Sequence, residues 1–121
     1  MSKKSIPQDL VENWKRQLRK GILELAVLAS VEENEVHGYA LINRLKEGSI
    51  PVSSSTIYPI LQRLAYNNLI ESRWAEFEQG HPRKYYAITD TGRQVLAGLR
   101  EEWRNFTTLI NSLILKEKEV K

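Results

Sequence analysis

A mainly α-helical chain with one small β-hairpin is the fold class this sequence predicts. Three observations carry that prediction. Four stretches place apolar residues three and four apart, the spacing of one helix face. Two short runs rich in aromatic and β-branched residues flank a segment holding Gly80 and Pro82, which reads as a hairpin and its loop. The chain has 121 residues, enough for one domain with one core, and its 41% apolar and 27% charged residues are those of a globular protein rather than a disordered one.

Composition also excludes. There are no cysteines, so disulfides and thiolate metal sites are out and a reducing cytoplasm fits. No apolar run reaches the length of a membrane span. The opening MSKKSIPQ has lysines with no apolar core behind them, unlike a signal peptide. A net charge of +3 permits a polyanionic partner, and where the charges sit decides whether one is expected.

Residues 1–8 read as a flexible basic arm, with Pro7 suited to a first helical turn. The first helix is expected over residues 9–31. Leu18, Ile22, Leu25 and Ala29 form one stripe, and Leu23, Ala26, Val27 and Leu28 widen it nearly to a full circle, the mark of a buried helix. Its first half differs: Trp14, Lys15, Arg16, Arg19 and Lys20 form a basic segment that carries an indole. After the polar break EENE, residues 37–47 form a second helix, with Leu41 and Leu45 four apart and Tyr39 and Ile42 three apart. Gly48 and Pro51 stop it.

Residues 53–69 are the stretch the rest is organised to hold up. Ile57, Ile60, Leu61 and Leu64 share a helix face, and Ser53, Ser54, Ser55 and Thr56 stand in front as candidate caps. The outward face reads Thr56, Tyr58, Gln62, Arg63 and Tyr66, with no acid until Glu71. Donors without carboxylates on a short, well-anchored helix suit a major groove. Pro59 is tolerable if the helix starts late enough to leave it at the edge of the first turn. Helix, short loop and helix make the outline of a helix-turn-helix. The strand-like runs 69–77 and 83–88 follow directly, with Ile70 and Trp74 on one face of the first and Tyr86 and Ile88 on one face of the second. A two-stranded hairpin must lean on helices, and behind a recognition helix it makes a winged helix.

Thr89 is a good N-cap for a last helix over residues 90–115. Val95, Leu99, Trp103, Phe106, Ile110 and Leu113 form a heptad-like seam along it. Nothing else in a chain this short can cover that seam, so a second subunit is expected there. The charged tail KEKEVK is expected to fray. The division is thus a basic arm at 1–8, a winged helix-turn-helix DNA-binding domain at 9–88 and a dimerisation helix at 89–121.

HGYALINRL, then STIYPILQRLAYNNLI, then GHPRKYYAITDTGR resembles the PadR family of bacterial transcriptional regulators over residues 37–93. The ordered set is more specific than any one piece. The single C-terminal helix is similar to the short subfamily, some of whose members bind planar drugs between subunits. The resemblance implies a homodimer on a palindromic double-stranded DNA operator, usually as a repressor, with binding controlled by a small molecule or a stress signal. The sequence departs from the family pattern at Ser55, where many members have Gly or Ala. It departs again at the Gly-His-Pro-Arg wing tip, which is less basic than usual, and in a first helix longer and more basic than in the drug-binding relatives.

On this reading base contacts fall to Ser54, Ser55, Thr56 and Gln62, and phosphate contacts to Thr56, Tyr58, Arg63, His81, Arg83 and Lys84, with Lys3, Lys4 and Arg44 secondary. Tyr85 and Tyr86 alternate in direction, so at least one belongs to the core. If the first and last helices meet across a dimer axis, Trp14, Leu18, Ile22 and Trp103 would line a slot for an apolar or aromatic effector, or simply pack the interface. The two histidines, His37 and His81, form no nucleophile–base pair, and no glycine-rich phosphate loop or metal-ligand spacing is present. No enzymatic role, cofactor or metal is expected. Two rival readings remain: a small-molecule receptor with its pocket at the dimer interface, and a winged helix turned to protein–protein contact.

Overall fold

The computed structural model describes residues 8–48, 50–76 and 82–116. Its elements are α1 (Gln8–Ser30), β1 (Val36–His37), α2 (Gly38–Glu47), α3 (Ser54–Tyr66), β2 (Ile70–Glu76), β3 (Pro82–Ile88) and α4 (Asp90–Ile114). Residues 1–7 of the basic arm, with Lys3 and Lys4, residues Gly80 and His81 of the wing tip, and all but the first residue of the charged tail lie outside the described residues.

The expected helices are present and the core is theirs. Ile57, Ile60, Leu61 and Leu64 are all buried beneath α3, against Leu41, Ile42 and Leu45 of α2 and Leu23, Val27 and Leu28 of α1. Each such side chain contributes about 1.5–3 kcal/mol by leaving water. No polar or charged residue is buried among the described residues.

The hairpin is expected as two strands, but the sheet has three, in the antiparallel order β1-β3-β2. Val36 pairs with Tyr86 and His37 with Tyr85. The added strand is two residues long and ties the start of α2 to the wing. Within the hairpin Ile70 pairs with Ile88, Ser72 with Tyr86 and Trp74 with Lys84. Ile70, Tyr86 and Ile88 are buried, so this face of the sheet closes the core, with Trp74 and Lys84 continuing it beyond the helices.

Local chemistry explains the joints. Asn68 takes a left-handed φ of 63° just past α3. Its N–H donates to the Ala65 carbonyl and that of Leu69 to the Leu64 carbonyl, the paired bonds of a Schellman stop. Thr89 caps α4 by accepting from Gly92 N–H at 2.9 Å, and its hydroxyl also donates to the Asn68 carbonyl at 2.7 Å. Gly92 has no alternative: a Cβ there would run into the backbone carbonyl of Leu69.

Several expectations need correction. Tyr39 is not on the buried stripe of α2; it is exposed beside buried Ile42. Helix α1 is buried only in its second half, while Leu18 and Ile22 are exposed, because nothing among the described residues covers them. The first turns of α4 dock through Leu96, wholly buried, a residue off the expected seam; Val95 is half-buried beside it. Ser53 is the N-cap of α3, yet its side chain makes no capping bond and its Oγ lies 2.8 Å from that of Ser55. Pro59 is the sixth residue of α3, inside the helix rather than at its first turn. Having no N–H, it leaves the Ser55 carbonyl without its ladder partner, on an exposed face where solvent can reach it.

Candidate nucleic-acid interface

Helix α3 has three distinct exposed flanks around its buried stripe. Ser55, Pro59, Gln62 and Tyr66 recur four, three and four apart, so they share the face opposite the core, and all are exposed. Tyr66, at 91% exposed, stands clear of the surface. This face carries a hydroxyl, an amide and a phenol and no charge. Gln is the residue type that can pair bidentately with an adenine edge.

The second flank faces the sheet. The Tyr58 ring lies over Gly38 at the start of α2, so close that a Cβ on Gly38 would sit 2.7 Å from ring carbons. Burial, with Tyr58 nearby, raises the pKa of the Tyr86 phenol. Expected as a phosphate contact, Tyr58 is thus also the wedge that sets α3 against α2 and the sheet, though 40% of it remains exposed.

The third flank faces α1. Arg63 donates to Glu24 Oε2 of α1 through Nη2 at 2.6 Å and Nε at 3.1 Å. Its guanidinium is therefore engaged by a carboxylate within the chain. Arg63 and Thr56 help line a groove of about 640 Å³, together with Ser53, Ser55 and Pro59, and with Arg16, Arg19 and Lys20 of α1 and Lys46 of α2. Ser54 is exposed at the first turn of α3.

The wing brings its cations to the other end of the site. Lys84 Nζ lies 5.8 Å from the centroid of the Trp74 indole, which holds the ammonium over an aromatic face. Arg83 Nη1 lies 3.0 Å from His37 Nε2. His37 in turn accepts from Ala40 N–H through Nδ1 at 3.2 Å, so it caps α2, and its ring meets Tyr85 edge-on. Burial, and then the charge of Arg83, lower the His37 pKa from its ordinary value. A neutral imidazole suits the cap, since Nδ1 must keep a lone pair for it; Nε2 then carries the proton and cannot also accept from Arg83. Arg73 stacks over the Tyr85 ring and forms a two-pronged pair with Glu35, which lowers the Glu35 pKa through the hydrogen bond.

Sequence reasoning missed His37, Arg73 and Glu24, all of which act through partners 38 or more residues away. Arg44, expected as a minor phosphate contact, instead donates to the Ser30 carbonyl at the end of α1. The residues expected to form an effector slot are not gathered by one chain. Trp14 (59% exposed) and Leu18 lie on the first half of α1, Ile22 lies just past its middle, and Trp103 (41% exposed) lies on α4. Of the expected seam, Leu99, Phe106 and Leu113 are likewise exposed and Ile110 partly so. Among the described residues no helix is long and apolar enough to cross a membrane.

Comparison with known proteins agrees with this fold. The transcriptional regulator PadR-like family matches residues 27–98. A transcriptional regulator of Mycobacterium tuberculosis is 31% identical over 99 residues, which cover 82% of this chain and 89% of that protein. The crystal structure of a PadR family transcriptional regulator from Eggerthella lenta superposes with a TM-score of 0.80 at 34% identity, covering 88% of this chain and 94% of that one. A PadR-like transcriptional regulator from Bacillus cereus gives 0.74 at 37% identity, covering 84% and 99%.

Proposed function

We propose, from the premise that this chain belongs to the PadR-like family of transcriptional regulators and is a DNA-binding transcriptional regulator, that it acts in the cytoplasm as a homodimeric repressor. In this reading residues 9–88 read DNA, and residues 89–121, with the outer half of α1, join two chains. The observation that carries it is the composition of α3. A buried stripe fixes the helix, and its exposed face of Ser55, Gln62 and Tyr66 offers hydrogen-bonding groups with no carboxylate. Gln62 and Ser55 contact base edges, with Ser54 and Thr56 at the helix start. Arg83 and Lys84, with His81 at the wing tip, contact phosphates, which fix register without carrying sequence information. A two-fold dimer would present two such helices to successive major grooves, roughly 34 Å apart, so a palindromic operator follows.

Relief of repression is assigned to an apolar or aromatic small molecule seated where Trp14, Leu18 and Ile22 of one chain approach Trp103 of the other. Exposed indoles on otherwise apolar surfaces support that choice. Such a ligand should change tryptophan fluorescence, and Trp103→Ala should abolish the change. An acid-free recognition face disfavours the alternative of a purely protein-binding winged helix.

Fluorescence anisotropy tests the main reading. A labelled duplex from the region upstream of the coding sequence is compared with a scrambled one, at low and near-physiological salt. Binding of the upstream duplex that survives the salt increase, with release of the scrambled one, is the expected result. Equal release of both would remove the upstream region as the operator, and no binding at low salt would defeat the DNA-reading proposal.

A further inference from the structure

Lys15 of α1 pairs with Glu12, but the other cations of α1 are not used by anything described so far. Arg19, Lys20 and Lys46 have no carboxylate partner among the described residues, and Arg16 donates only to the neutral side chain of Asn13, at 2.8 Å. All four line the groove that opens beside Ser55 and Thr56 at the start of the recognition helix. Like charges gathered this way repel one another unless an anion joins them. The groove's acidic neighbour, Glu24, is already committed to Arg63.

The opposite side of α1 makes the placement informative. Trp14 and Leu18 are each two residues from Arg16 along the helix, and Leu18 is two from Lys20, so Trp14 and Leu18 lie on the far side of α1 from Arg16 and Lys20. A partner chain covering the apolar face leaves the basic face open.

We infer that this groove seats the DNA backbone, with Arg16, Arg19 and Lys20 of α1 and Lys46 of α2 contacting phosphates beside the recognition helix. The occupant is chosen on charge complementarity and on continuity, since the groove shares Ser55 and Thr56 with the surface proposed to read bases. α1 is then a two-faced helix, holding DNA on one side and a second copy of the chain on the other. The recognition helix is flanked by cations on its α1 side as well as by those of the wing. This inference rests on the DNA-reading proposal above.

The test is the salt dependence of binding to a labelled duplex of random sequence, which needs no knowledge of the operator. Each phosphate contact contributes about 0.9 to the slope of log affinity against log salt. The triple variant Arg16→Gln, Arg19→Gln, Lys20→Gln should lower that slope by roughly 2 to 3 and weaken all sequences alike. A charge-conserving triple, Arg16→Lys, Arg19→Lys, Lys20→Arg, should retain the wild-type slope, and circular dichroism melts of both should match the parent. A neutral triple that stays folded and keeps the full slope overturns the groove inference alone. So does a neutral triple that loses binding of ATP, used as a free phosphate probe, while its DNA slope is unchanged. Failure of the wild-type chain to bind any duplex at low salt overturns the DNA-reading proposal and this inference with it.

Discussion

The inner and outer parts of this molecule use the same residue types to opposite effect. Between Leu23 and Leu96 most leucines, isoleucines and valines of the helix stripes are buried, and the α-helices and sheet pack on one another. Beyond that unit, the first half of α1 exposes Leu10, Trp14 and Leu18, and the second half of α4 exposes Phe106, Leu109, Leu113 and Ile114. Exposed apolar side chains gathered in this way support the proposal that a second chain covers them. The difference teaches that periodicity reports which residues share a face, while only the chain's remaining inventory says whether that face is covered from within.

The comparison can be broken at either end. Leu61→Ala in the inner unit should cost about 2–5 kcal/mol in denaturant unfolding, because a wholly buried side chain leaves a cavity. Trp103→Ala with Phe106→Ala should leave the inner fold intact by circular dichroism. It should abolish the concentration dependence of the melting temperature that a dimer must show. If that pair instead collapses the fold at every concentration, the outer helices are part of one cooperative core.

Glycines sharpen the contrast. Gly38→Ala should destabilise by about 1 kcal/mol, the low end for overpacking, because the crowding atoms belong to the Tyr58 ring, which can swing. Gly98→Ala on the outer part of α4, where a Cβ meets nothing within 4 Å among the described residues, should stabilise the helix by roughly 0.5–1 kcal/mol. A loss at Gly98 seen only in the dimer would place it under the partner.

Acid should act first on the inner unit. The folded pKa of His37 lies below its ordinary value of 6.5, so the folded state prefers the neutral ring. Its contribution is fully present above the unfolded pKa and is lost as pH falls through the lowered one. Protonation removes the acceptor that caps α2 and sets two cations together at Arg83. Melts followed between neutral and mildly acidic pH should therefore lose stability, and His37→Asn, which retains a capping oxygen, should flatten that loss. The smallest effect is expected from Glu24→Gln. This exposed pair contributes up to about 1 kcal/mol, so stability should hardly change, while release of Arg63 should tighten non-specific DNA binding.

Much of the fold was legible in the sequence because its signals are local. The α3 stripe from Ile57 to Leu64, the Thr89 cap and the hairpin alternation at Tyr86 and Ile88 each depend on spacing within a few residues. What escaped depends on the far side of the molecule. β1 is too short to show a period, and its two residues become a strand only because β3 passes by. Leu96 is one position off the seam and is chosen by the direction in which α4 leaves Thr89. At the proposed site, absence of acids singled out α3 in the sequence, but not which exposed residues share its outer face. Tyr58 is drawn toward Gly38 and Arg63 toward Glu24, which leaves Gln62 and Tyr66 facing outward.

A DNA-reading unit that closes within one chain, and an operator complex that needs two, can be told apart by mass. Sedimentation equilibrium of the protein on the upstream duplex, once anisotropy has shown that duplex to bind, reads the stoichiometry at saturation. Two 14.0 kDa chains per duplex, reached without a one-chain intermediate, is the expected result. One chain per duplex at saturation, with the free protein monomeric at every concentration, would contradict it.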